Sequence, residues 1–69
     1  MKRTEANRQL EGLAPAWSGV FATIQRSDGQ YALTINQQGR TILSQRGNDV
    51  ADLFAVAVTA IVELRSVSV

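Results

Sequence analysis

The period of the hydrophobic positions changes twice along the chain, and each change marks an element. In residues 4–13, apolar side chains recur at Ala6, Leu10 and Leu13, the spacing of one helical face, which predicts a short amphipathic helix. Thr4 stands where an N-cap would, and Glu5 follows in the first turn. Gly12 weakens the far end and Pro15 stops it, leaving residues 14–17 as a connector that delivers Trp17 to the next element.

From Ser18 to Arg46 the period shortens to that of strands separated by turns. Asp28-Gly29 is a strong hairpin signal, because a type I′ turn needs positive φ at both central residues. If Ser27 and Gln30 close that turn, Arg26 faces Tyr31, Ile24 faces Leu33 and Ala22 faces Ile35, all on one side. The other side receives Gln25 with Ala32, Thr23 with Thr34, and Phe21 with Asn36. One assumed turn thus sorts the aliphatic residues from most polar ones, and a slip by one residue would scramble the sorting. A second turn at Gln37-Gln38-Gly39 has two possible registers. A two-residue loop pairs Ile35 with Ile42, and a three-residue loop with Gly39 left-handed pairs Leu33 with Leu43. Both give a three-stranded antiparallel meander with one apolar face that needs a cover.

The cover is the segment after Asn48. Asn48 and Asp49 supply an N-cap, and Asp49 and Asp52 lie where a helix dipole favours carboxylates. Polar positions 52, 59, 63 and 66 fall within a stripe about 60° wide at ~100° per residue. Val50, Leu53, Phe54, Ala57, Ile61 and Leu64 turn to the sheet, with Val58 and Val62 on one flank and Ala60 on the other. Alternation of Val56, Val58, Ala60, Val62 and Leu64 also fits a strand, but the capping residues favour a helix over about 49–65. Residues 66–69 are left as a possible fourth, edge strand. The expected fold is α+β: a short N-terminal helix, a three-stranded antiparallel meander and a long C-terminal helix on one sheet face.

Composition narrows the chemistry. The chain has 69 residues, expected to form a single domain over 1–69 with 1–3 flexible, and it contains no histidine and no cysteine. It therefore has no imidazole base, thiolate nucleophile, disulfide or zinc-finger ligand set. Asp49 and Asp52 read as helix-dipole partners in preference to metal ligands, the five glycines mark turns or element boundaries without a phosphate-loop spacing, and the single lysine, Lys2, gives no Ser-Lys arrangement. No cofactor and no enzymatic activity are expected. The net charge of +1 is too small for long-range attraction of a polyanion. No apolar signal segment follows the basic start, and the longest uncharged apolar run, Leu53 to Val62, is ten residues against the ~20 of a membrane span. A cytoplasmic protein with no membrane association is expected.

The order helix, three strands, helix resembles the double-stranded-RNA-binding domain across the whole chain. In that family a lysine cluster opens the last helix and grips phosphates; here the matching stretch, Gly47 to Asp52, carries Asp49 and Asp52 instead. Nucleic acid is therefore the disfavoured partner, with Arg26, Arg40 and Arg46 as its sparse patch. Gly39 to Leu64 resembles the strand, turn, helix block of HicB-type antitoxins, which have a partial RNase H-like fold. In size, element order and lack of catalytic equipment the chain also resembles small phage-encoded inhibitors, anti-CRISPR proteins and inhibitors of host polymerase among them. That resemblance implies a non-enzymatic protein that binds and blocks a host complex such as CRISPR effector machinery, with a nucleic-acid-binding or antitoxin-like regulator as the alternative.

For partner contact the candidates are Trp17, Phe21, Arg26, Tyr31, Arg40 and Arg46, since Trp, Tyr and Arg dominate interface hot spots; structural use of each aromatic is the alternative. A helix apolar over most of its circumference also predicts a homodimer, through Val56, Val58 and Val62 or through a sheet edge.

Overall fold

A computed structural model describes residues 1–14 and 18–67, with side chains of the last helix as far as Leu64. Helix α1 (Arg3–Leu13) is followed by strands β1 (Val20–Ser27), β2 (Gln30–Gln37) and β3 (Arg40–Gly47) and by helix α2 (Val50–Val67). The strands form one antiparallel sheet in the order β1-β2-β3, and the fold is the expected α+β arrangement with α2 on the sheet. Trp17 and the connector residues Pro15 and Ala16 lie outside the described residues, as do Ser68 and Val69.

Helix α1 buries Ala6 and Leu10 and rests Leu13 against the core, the face given by its periodicity. Thr4 is not its cap. The helix starts one residue before it, with Lys2 extended at φ −81° and ψ 147°, no side-chain cap, and the Ala6 N–H bonded to the Lys2 carbonyl at 2.9 Å. Thr4 is already helical, so its hydroxyl cannot take the capping position, which requires non-helical backbone.

The first hairpin has the register derived above, Ser27 opposite Gln30 through Phe21 opposite Asn36. Its turn residues Asp28 and Gly29 have φ of 51° and 78°, as a type I′ turn requires. The second hairpin has the two-residue loop of the first sequence alternative but not its pairing of Ile35 with Ile42. Gln38 and Gly39, with φ of 51° and 82°, make a two-residue turn, and Gln37 pairs with Arg40 and Asn36 with Thr41. A bulge then intervenes: Ile35 pairs with Leu43 and Ile42 is left over, 44% exposed. The extra residue places Leu43 on the covered side, where it packs against the core.

Asp49 caps α2, its Oδ1 accepting from the Ala51 N–H at 3.0 Å and its carbonyl from the Leu53 N–H at 3.3 Å. The helix runs to Val67, so Ser66 and Val67 are helical and not part of a fourth strand. Val50, Leu53, Ala57 and Ile61 enter the core with Ala6, Leu10, Ala14, Val20, Ile24, Leu33 and Ile35. The wide apolar circumference of α2 meets two surfaces, because α1 packs on it as well as the sheet. Val56, Val58, Ala60 and Leu64 are half-buried against the core as a result, and Val62 is 52% exposed.

Candidate interaction surface

Both helices pack on one side of the sheet, so alternation along the strands determines what the other side displays. Register places three rows of three on this outer face: Phe21, Asn36 and Thr41; Thr23, Thr34 and Ser44; Gln25, Ala32 and Arg46. None of these residues is buried: those on β1 and β3 are exposed, and those on the central β2 are half-exposed. The rows carry hydroxyls, carboxamides, one aromatic ring and one guanidinium, and no carboxylate. Thr41 Oγ1 donates to Asn36 Oδ1 at 2.7 Å and ties the first row together. Phe21, at the corner, is 51% exposed, an unusual position for a phenylalanine in a chain with only two.

The two edges of the sheet differ. A two-residue hairpin makes Ser27 and Gln30 a hydrogen-bonded pair, and such pairs alternate, so Val20, Ala22, Ile24 and Arg26 turn their backbone groups away from β2. At this edge Asn7 of α1 acts as a strand substitute. Its Nδ2 donates to the Ile24 carbonyl at 3.0 Å, and its Oδ1 accepts from the Ile24 N–H at 2.8 Å. Ser18 Oγ accepts from the Val20 N–H at 3.3 Å. An open cleft of about 200 Å³ remains between α1 and β1, lined by Asn7, Glu11, Ala14, Phe21, Ala22 and Thr23. At the opposite edge no described element pairs with β3. By the same alternation Ser44 and Arg46 direct their N–H and C=O groups outward there.

The candidate residues from the sequence are not gathered into one patch. Phe21 and Arg46 share the outer face at opposite corners. Tyr31 packs against the core on the helix side, opposite the exposed Arg26. Arg40 opens β3 at the far turn, exposed. Val56 is separated from Val58 and Val62 on α2, since two residues are about 160° apart around a helix, and both Val56 and Val58 pack against the core. The outer-face residues Thr34, Asn36, Thr41 and Ser44 were not among the candidates. Parity would have found Thr34 and Asn36, and the two-residue turn would have added Thr41, whereas Ser44 depends on the bulge.

Among the described residues no cluster of three or more His, Cys, Asp or Glu side chains could hold a metal ion, and no helix is long and apolar enough to cross a membrane. Asp49 is engaged as the cap of α2. Fold and surface together define an α+β domain with helices on one face of a meander and no described element on the other. Compared with protein-family models, with curated proteins and with solved structures, the chain has no match.

Proposed function

We propose that this chain is a non-enzymatic protein-binding module that acts by occupying a surface of a larger complex, in the manner of small phage or mobile-element inhibitors of host machinery such as CRISPR effectors. The observation that carries this reading is the outer sheet face, uncovered among the described residues and contiguous with the open β3 edge. A sheet face is a rigid platform. Its side chains are held by the ladder before any partner arrives, so little conformational entropy is lost on docking. Hydroxyl and carboxamide groups around Phe21 give polar contacts beside an aromatic anchor. The alternative, a nucleic-acid-binding or antitoxin-like regulator, draws on Arg26, Arg40 and Arg46, all exposed. They are distributed over both faces and both ends of the sheet, whereas a phosphate backbone needs cations that converge on one track.

Immobilised full-length chain should retain a protein complex from a bacterial lysate. Thr34→Glu, at the centre of the outer face, should reduce that retention by about tenfold or more, the effect of one disturbed hot-spot contact. Ala55→Glu, exposed on α2, should leave it unchanged, with both variants giving the wild-type circular dichroism spectrum. Retention by Thr34→Glu equal to wild type, equal loss in both variants, or no protein retained at all would overturn the reading.

A further inference from the structure

We infer that the β3 edge accepts an extended, carboxylate-bearing segment of a partner protein as a fourth strand. This rests on the protein-binding reading above and specifies the surface and the chemistry of what docks there. Strand addition needs a row of unpaired backbone groups, and the two edges of this sheet are unequal in that respect. On β1 the Ile24 pair of groups is taken by Asn7 and the Val20 N–H by Ser18, with α1 alongside, so an incoming strand would have to displace a helix. On β3 the outward N–H and C=O groups of Ser44 and Arg46 have no partner among the described residues. Two residues with outward donors and acceptors offer four backbone hydrogen bonds to a short strand.

Charge selects the occupant. Strand β3 begins with Arg40, carries Arg46 next to its end and has no acidic residue. Neither arginine has a carboxylate partner among the described residues, and Asp49, the nearest carboxylate in sequence, is turned to the Ala51 N–H. Arg40 pairs with Gln37 and Arg46 with Ala32, so across the bulge the two arginines lie on opposite faces and five positions of a facing strand apart; carboxylates spaced five residues apart in an added strand, which also fall on opposite faces, would reach both. A second copy of β3 fits less well: antiparallel pairing centred on Leu43 sets Arg40 against Arg46 twice, and the bulge at Ile42 bends the edge. A nucleic acid would supply the negative charge without alternating amide donors and carbonyl acceptors to match the strand.

The test uses the full-length ¹⁵N-labelled chain and the capped peptide Glu-Thr-Val-Thr-Val-Glu, its glutamates five residues apart, at near-saturating concentration. Comparators are the same peptide with lysine at both ends, the acidic peptide N-methylated at alternate amides in each of the two phases, and a single-stranded RNA oligonucleotide. The acidic peptide should slow amide exchange at Ser44 and Arg46 by about tenfold or more, as expected where a new hydrogen bond must open first. The lysine peptide and the N-methylation phase that blocks the amides facing β3 should not, whereas the other phase should, and the doubly reversed variant Arg40→Glu, Arg46→Glu, folded by circular dichroism, should prefer the lysine peptide. The inference is overturned by no slowing, by equal slowing with the lysine peptide or the RNA, or by slowing that grows with protein concentration in the absence of peptide. If the peptide fails while Thr34→Glu still abolishes capture, strand addition is wrong and the protein-binding reading stands.

Discussion

Leu33→Ala is expected to lower the unfolding free energy by about 2–5 kcal/mol, the range for truncating a fully buried leucine. Leu33 lies on the central strand with no exposed surface, opposite Ile24 and in the same core as Leu53 and Ile61. At roughly 0.05–0.15 kcal/mol per residue, a chain of this length has a total of about 3–10 kcal/mol to lose. The variant should therefore sit near or past the edge of folding. Urea titration followed by circular dichroism measures it, with Leu43→Ala, half-buried on the edge strand, as the milder comparison. A loss below about 1 kcal/mol for Leu33→Ala would mean that this core does not hold the sheet and helices together.

Asn7→Ala should have the second-largest effect, about 1–3 kcal/mol, although it removes a half-buried polar side chain from a short helix. The carboxamide is a donor and an acceptor in one plane, which is what an edge strand presents to its neighbour. Without it the N–H and C=O of Ile24, a residue with no exposed surface, lose their partners at 2.8 and 3.0 Å. Asn7→Asp separates the two bonds: the carboxylate still accepts from the N–H but places a second acceptor against the Ile24 carbonyl. Both variants should lose stability, with Ile24 amide exchange accelerated most in Asn7→Ala. Unchanged Ile24 exchange in Asn7→Ala would show that α1 does not close this edge.

These two residues differ in how far the sequence revealed them. Leu33 was legible, because Asp28-Gly29 pins one register and that register puts Ile24, Leu33 and Ile35 on one side. The second hairpin was not, since Ile42 and Leu43 are adjacent aliphatics and nothing local tells which faces the core. The choice is made by packing, through a bulge whose extra residue has no compositional mark. Asn7 was invisible for a related reason: a lone amide on a helix reads as solvent-facing until its partner, seventeen residues away, is placed beside it. Thr4 shows the converse, a strong local signal overridden when docking of Ala6 and Leu10 carries the N-cap two residues earlier, to Lys2. For the surface, Phe21, Arg40 and Arg46 were legible as exposed side chains of interface type. Their grouping into an outer face and an edge needed the strand order and the bulge.

The central claim is that binding takes place on the outer face and β3 edge, away from the helices. Residue-resolved hydrogen–deuterium exchange of the chain alone and in complex with the protein it retains tests this most directly. The account predicts a slow Ile24 amide in both states, with the Ser44 and Arg46 amides exchanging freely in the isolated chain and protected in the complex. Protection arising on the exposed sides of α1 and α2 while Ser44 and Arg46 continue to exchange freely would contradict it.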